Sequence, residues 1–427
     1  MASASGWTNW SGYISAEPAQ RASPGSVEEL QAVVRSAPGP VRVAGSGHSF
    51  TPLVPSAGTI VSLQKLEGLK SHDPKTLQAT VGAGTTLGKL TPMLQGVGQA
   101  LANMGDIDKQ TIGGSLGTAT HGTGSRLGAY HTLVERVELV DGRGGQRSYS
   151  KAVHGDMLEA TGVTLGAFGI ITEVTLNNLP AYRMRKRRWV LPIEDMLANF
   201  HDMMTAHRSA EFYFIPFSGH AMFLASDITD EPITHRPPED DEEGLATLKM
   251  LRNMLKWFPW ARRALICNAM RKLPREDYVE DWLKVYTSDR RTRFNEMEYH
   301  LPIEEGPKVL AEIIQLTEDL FPDVYFPMEV RTVAADNFWL SPFYKRPTCS
   351  IAIHHDASED PLHYQKAAES IFRRHGGRPH WGKMHNLSAV ELSKLYPRWK
   401  DAMEVRRDLD PDNRFVTPYI AKLLGVE

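Results

Sequence analysis

Residues 41–50 read VRVAGSGHSF. The apolar run Val41 to Ala44 predicts a short buried strand, and Gly45-Ser46-Gly47 predicts a turn whose backbone amides no side chain covers. Such a turn can cradle an anion. His48 stands at its tip, where it packs against nothing obvious. A dinucleotide fingerprint needs G-x-G-x-x-G opening a helix, and GSGHSF lacks the third glycine.

Working outward, the first 180 residues are glycine-rich and alternate short strands with helices. SPGSVEELQAVVRSA (23–37) has an N-cap signal, acids in its first turn and apolar Val27, Leu30, Val33 and Val34, which predicts an amphipathic helix. GTIVSL (58–63), LQATVGAG (77–84), VERVELVDGRGGQRSYS (134–150) and GIITEVTLNNL (169–179) read as strands, the third a hairpin turned at Asp-Gly-Arg-Gly-Gly. Between them TTLGKLTPMLQGVG (85–98) reads as a helix stopped by glycine. This is an α+β layout with two groups of strands, not a repeated βαβ ladder.

Composition shifts near residue 181. YRMRKRRWVLP (182–192) is a basic strand-like segment and THRPPEDDEEG (234–244) a proline-acid loop, each read as a solvated face. Strands (EFYFIPF, RFNEMEYHLP, YFPMEVRTV, SIAIHHD) then mix with helices (GLATLKMLRNMLKWF, PKVLAEIIQLTEDLF, LHYQKAAESIFRRHG), a second α+β domain. The segment 395–425 reads as a helix broken at Asp-Pro-Asp, followed by an aromatic segment that returns to the first domain.

With 427 residues and 41% apolar content the chain fills sizeable cores, and a net charge of −3 gives no electrostatic case for nucleic acid or membrane as partner. A small neutral ligand suits it better. No apolar run approaches the roughly 18 residues that span a bilayer, and MASASGWTNWSGY lacks signal-peptide character, so the expectation is a soluble cytoplasmic protein. Cys267 and Cys349 make neither a metal-ligand spacing nor a disulfide framework; two buried free thiols and no metal are expected.

A second glycine cluster, NMGDIDKQTIGGSLGTATHGTG (103–124), alternates glycine with small hydroxyl residues, and a third, GVTLGAFGIIT, spans 162–172. Such composition permits close backbone approach to a planar or phosphorylated ligand, and serves plain turns and tight strand packing equally well. Three clusters flanking strand pairs favour one large cofactor held mostly by backbone.

Together VRVAGSGHSF, NMGDIDKQTIGGSLGTATHGTG, GAFGIITEVTL, EMEYHLP, MEVRTVAADNFWLSPFY and GRPHWGKMH resemble the aldonolactone oxidoreductases of the vanillyl-alcohol-oxidase flavoprotein superfamily. Gulonolactone, galactonolactone and arabinonolactone oxidases or dehydrogenases belong there, with alditol oxidases as cousins. The likeness runs from Trp10 to Tyr419. It implies a two-subdomain FAD-binding domain of the PCMH type over residues 1–180, an α+β substrate cap over 181–405, and a return to the FAD domain over 406–427.

The resemblance also implies roles. His48 matches the histidine bonded covalently to the flavin 8α-methyl carbon. Gly45, Ser46, Gly47 and Ser49 flank it; Gly105, Gly113, Gly114, Ser115, Gly117, Thr118, Thr120, His121 and Gly122 in the second cluster, and Gly166, Gly169 and Ile171 in the third, match cofactor-binding positions. Glu329 and Arg331 share a strand face by period-two alternation. A surface ion pair fits that spacing too, but the resemblance puts both on substrate hydroxyls. Lys383 matches the lysine that joins this arginine, two cations to stabilise an alkoxide as hydride leaves. His354 matches a substrate-facing position, as general base or as a packed strand histidine.

Gly105 and Asp106 match the pair nearest the flavin's reactive edge. Glycine leaves room for dioxygen, which leans toward an oxidase giving hydrogen peroxide, with another electron acceptor as the alternative. Asp106 stands where alditol oxidases carry serine, which favours a sugar lactone over an open alditol or other polyol. The expected reaction is oxidation of an aldono-1,4-lactone by hydride transfer to flavin N5; a flavin carrier that has lost catalysis is the non-enzymatic alternative. Monomer and homodimer both remain open.

Overall fold

Ser26 starts the first helix as its chemistry dictates: its hydroxyl accepts from the Glu29 amide, Glu28 and Glu29 occupy the first turn, and Leu30 and Val34 turn inward. The structure is a computed structural model that describes residues 6–238, 241–288 and 290–426. In it the helix Val27–Ser36 crosses over between Gln20–Ala22 and Val41–Ala44, the outer strands of a parallel three-stranded sheet centred on Thr59–Ser62.

A second sheet is antiparallel, in the order Gln146–Ser150, Val134–Val140, Ile170–Asn177, Gln78–Gly82, Leu69–Asp73. The hairpin expected at Asp141 to Gly145 forms, its turn held by Asp141 Oδ1 accepting from the amides of Arg143 (3.0 Å) and Gly145 (2.7 Å). One element departs from the sequence reading. Within the second glycine cluster Ile112–Gly117 is a short helix, because the Thr111 hydroxyl caps the Gly114 amide while Ile112 and Leu116 face the core.

The third sheet has eight antiparallel strands in the order Glu276–Asp281, Arg183–Pro192, His220–Thr229, Ser209–Ile215, Met328–Val333, Thr348–Asp356, Phe294–Pro302, Arg378–Pro379. Alternation gives it two unlike faces. Phe212, Phe214, Phe223, Met328, Val330, Ile351 and Ile353 belong to one large apolar core together with side chains of the helices Gly306–Leu320 and Leu362–Arg374. The opposite face carries Glu211 and Tyr213, partly buried, and Glu329 and Arg331, buried.

The basic strand is not merely solvated: Arg185 takes both Asp277 oxygens at 2.7 Å and Arg188 pairs with Glu276, acids of the adjacent strand. Of the acidic loop, Glu239 and Asp240 lie outside the described residues, and Asp241 to Glu243 open a helix, Asp241–Met254. Cys267 is only half-buried, whereas Cys349 is buried; both are free.

At the C-terminus Phe415 enters the core of the first helix and five-stranded sheet, and Arg414 donates to the carbonyls of Val34 and Gly39. The final aromatic segment is a helix, Pro418–Leu424, capped by Thr417. Arg42 fastens these parts. Buried, it donates to the carbonyls of Leu53 (2.7 Å), Gly166 (2.9 Å), Phe415 (2.9 Å) and Leu165. Among the described residues no helix is long and apolar enough to cross a membrane.

Candidate active site

A cavity of about 360 Å³ opens where the three-stranded and five-stranded sheets meet. Glycines recur along its walls. Gly45, Ser46, Gly47, His48 and Ser49 come from the turn after Val41–Ala44; Gly113, Gly114 and Gly117 come from the short helix and Thr118 from its C-cap; Gly166 and Gly169 come from the loop entering Ile170–Asn177, and Ile171 from that strand. Side chains would close it: a Cβ on Gly45 would stand 2.5 Å from Thr111 Oγ1, and one on Gly113 3.1 Å from the Ala83 methyl. Gly47 and Gly166 also hold φ of +73° and +66°, which disfavour a side chain. A cradle of bare amides and small residues fits the phosphates and planar ring of FAD.

His48 sits at one wall of this cavity, stacked on Trp10 with ring centroids 5.4 Å apart. Burial first, then the Lys383 charge, push its imidazole down to about 4. At neutral pH it therefore presents a lone pair, the form a nucleophile needs. Asp106 and Lys383 both act electrostatically on His48, and Arg331 and Lys383 act on Asp106, so one neighbourhood joins the cavity to the polar face of the eight-stranded sheet.

On that face register does the assembly. Tyr213 lies opposite Glu329, Glu329 opposite Ala352 and Ala352 opposite Glu298; one row over, Glu211 lies opposite Arg331, then Ser350 and His300. Tyr213 Oη donates to Glu329 Oε1 (2.8 Å) and Arg331 Nη2 to Glu329 Oε2 (2.9 Å). Arg331 also stands 3.7 Å from Glu298 Oε1. His121 reaches Glu298 through Nε2 (3.0 Å) and the Gly122 carbonyl through Nδ1 (2.8 Å). Both ring nitrogens thus face acceptors, an arrangement an imidazolium satisfies.

The charges are balanced pair by pair. Burial alone would raise the Glu298 carboxyl, yet His121 and Arg331 hold it well below the usual range. Burial would likewise weaken Arg331, but Glu329 and Glu298 lift it well above its ordinary value, so it stays cationic. Glu211, its carboxyl shielded from water and repelled by the charge of Glu329, is instead pushed up to about 7. Asp106 is drawn down, against its burial, by Arg290 and Arg331; Arg290 Nη2 donates to it at 3.1 Å.

Of the residues singled out from sequence, His48, Gly45, Ser46, Gly47, Ser49, Gly113, Gly114, Gly117, Thr118, Gly166, Gly169 and Ile171 line the large cavity. Gly105, Asp106, Gly122 and Arg331 line a second of about 20 Å³ with Glu211 and Lys186. Ser115 and Thr120 line neither: Ser115 Oγ turns back to the Thr111 carbonyl (3.0 Å) and Thr120 Oγ1 to Thr118 Oγ1 (3.3 Å). His121 belongs to the Glu298 pair. Lys383 pairs with Glu296, and its charge acts with that of Arg331 on Asp106. His354 hangs by Nδ1 on the Pro327 carbonyl (3.0 Å), which leaves Nε2 toward Glu296 Oε1 at 3.7 Å.

Sequence reasoning missed Glu211, Tyr213, Arg290, Glu296 and Glu298. Glu296 and Glu298, alternate residues of EMEYHLP, and Glu211 and Tyr213, alternate residues of EFYFIPF, carried a signal as polar side chains on one strand face; Arg290 carried none.

The sequence profile of the D-arabinono-1,4-lactone oxidase family matches residues 174–423, and that of an FAD binding domain matches residues 18–149. The L-gulono-1,4-lactone dehydrogenase of Mycobacterium tuberculosis is 32% identical over 98% of this chain and 99% of its own length. The L-gulonolactone oxidase of Mus musculus is 28% identical over 97% of each. In fold, the crystal structure of cholesterol oxidase from B. sterolicum superposes with a TM-score of 0.80, at 16% identity over 98% of this chain and 96% of that one.

Proposed function

Because the chain belongs to the D-arabinono-1,4-lactone oxidase family, we propose that it oxidises a carbinol carbon of an aldono-1,4-lactone, with Glu329, Arg331, Lys383, His354 and Asp106 as its working side chains. FAD, held in the glycine-lined cavity and tethered through His48, supplies the hydride acceptor at N5. Residues 1–180 and 406–427 hold it, and residues 181–405 cover the substrate.

The observation that carries this reading is the Glu329–Arg331 couple, 6% and 7% exposed, on the sheet face beside that cavity. Buried charges persist when hydrogen-bonding partners surround them, and sugar hydroxyls are such partners. Glu329 spends one lone pair on Tyr213 and one on Arg331, so its remaining lone pairs accept substrate O–H groups. Arg331, permanently charged, stabilises the oxygen from which a proton is leaving.

His354 takes that proton. A carbonyl only accepts, so the bond to Pro327 assigns the hydrogen to Nδ1 and leaves the Nε2 lone pair as base. Glu296, paired with Lys383, then faces the imidazolium. At Gly105 a Cβ would come within 3.1 Å of the His121 carbonyl, so glycine alone keeps that edge clear for oxygen as the acceptor. Asp106, clamped by Arg290, favours the lactone ring over an open alditol. Free thiols at Cys267 and Cys349 suit the cytoplasm.

The test is to mix the yellow protein anaerobically with aldonolactones, alditols and simple alcohols and follow the flavin band. Rapid bleaching by a lactone, reversed on admitting air, is expected. Bleaching by alditols alone would replace the lactone reading, and no bleaching would indicate a carrier without catalysis.

A further inference from the structure

The helical hairpin made by Asp241–Met254 and Pro259–Lys272 is built inside out. Its buried side chains include two arginines. Arg252 donates to the Asp323 carbonyl (3.1 Å), pairs with Glu359 (2.8 Å) and lies over the Tyr325 ring; Arg262 donates to the Pro322 carbonyl (2.6 Å) and lies over the Phe217 ring. Its exposed side chains include Met250, Met254, Phe258 and Leu265, with Trp257 and Trp260 82% and 73% exposed. Lys256 through Trp260, at the tip, all face solvent. A surface helix ordinarily buries its apolar stripe and exposes its charges. Two tryptophans standing clear of the body, among methionine and phenylalanine, mark a contact surface.

Charge selects the occupant. From Leu245 to Arg275 there are eight lysines and arginines and no acidic residue, in a chain of net charge −3; Arg252 and Arg262 are buried, Lys249 pairs with Asp356 and Arg263 with Glu318, and Lys256, Arg271, Lys272 and Arg275 face solvent. The whole-chain charge, which gave no case for a membrane partner, averages this stretch away. A second copy of the chain would bring like against like, since a two-fold contact sets the same cationic surface on both sides. Tryptophan at a tip beside Lys256, with Arg271, Lys272 and Arg275 exposed at the far end of the second helix and just past it, is a composition that settles at the lipid–water boundary, indoles among the headgroups and cations on their phosphates.

We propose that this hairpin docks the protein peripherally on an anionic lipid surface, with Trp257, Phe258 and Trp260 seated at headgroup depth. Nothing spans the bilayer, and the lactone site is not part of the contact.

The experiment is flotation of the holoprotein with vesicles of phosphatidylcholine alone or with roughly a third phosphatidylglycerol; the anionic vesicles are expected to carry at least about tenfold more protein. The double variant Trp257→Ser/Trp260→Ser should lose binding by about tenfold or more while lactone turnover stays unchanged. Lys256→Glu/Lys272→Glu should abolish the preference for anionic vesicles. Failure of the wild type to float with either vesicle, or equal binding by the tryptophan variant, would overturn the proposal. So would a dimer in sedimentation that this variant dissolves while no protein floats, because the face would then meet a second copy.

Discussion

Around His48 the walls are rich in glycine backbone, from a turn, a short helix and a loop; around Arg331 they are side chains from neighbouring strands of one sheet. The first region holds its ligand through groups every residue has, so loss of one side chain removes little beyond that side chain. In the second, each charge is the counter-charge of another: Glu329 and Glu298 for Arg331, His121 for Glu298, Glu296 for Lys383. Removing one member there strands its partners in a buried site. In the proposed reading, cofactor holding is therefore distributed and tolerant, and substrate handling is collective.

Arg331→Ala tests the collective side most severely. It is expected to lower kcat/KM by about 10²–10³, the scale of losing one charge stabiliser at a reacting oxygen. It should also cost about 3 kcal/mol in unfolding free energy, because Glu329 and Glu298 remain buried without their cation. Rates normalised to bound flavin separate the two effects. Turnover equal to wild type would take Arg331 out of the site.

Arg42→Met asks whether the cavity's tolerance extends to its frame. Arg42 serves the carbonyls of Leu53, Leu165, Gly166 and Phe415, tying the parallel sheet to the loop of the antiparallel sheet and to the C-terminal return. Leaving those acceptors dry should cost roughly 2–4 kcal/mol, read as a lowered denaturant midpoint at constant slope. Lactone turnover per bound flavin should hardly change. His48→Ala should alter less still: the protein folds, stays yellow through backbone contacts, and gives up its flavin to acid. Colour retained in the acid pellet would rule out the tether.

The same contrast explains what was legible beforehand. A turn such as GSGHSF declares itself within six residues, because glycine's use is local, and strand alternation alone put Glu329 and Arg331 on one face. The partners of Arg331 lie 33 residues before it and 120 before it, at Glu298 and Glu211, and only strand register brings them together. Arg290, which clamps Asp106, sits in a segment between cap elements with no motif of its own. The helix Ile112–Gly117 hid for a different reason. With three glycines in six residues its helix propensity is poor, and the Thr111 cap with buried Ile112 and Leu116 overrides it. Lys383 is placed by motif alone, and the carboxylate that meets it, Glu296, comes from the distant strand Phe294–Pro302, which no local signal connects to it.

Gly105→Val probes the line between the two regions and has the smallest expected effect. Gly105 donates its amide to the Tyr130 hydroxyl (3.0 Å), and a Cβ there would press on the His121 carbonyl at 3.1 Å. The branched side chain must therefore lean toward the space where oxygen approaches, while Glu329 and Arg331, on the sheet opposite, keep their mutual bond. Oxygen-dependent turnover should fall several-fold with reduction by lactone under anaerobic conditions nearly unchanged. Equal slowing of both would mean that the strain passes through His121 to Glu298 and Arg331, and that the edge near Gly105 belongs to the collective side of the site rather than to its tolerant one.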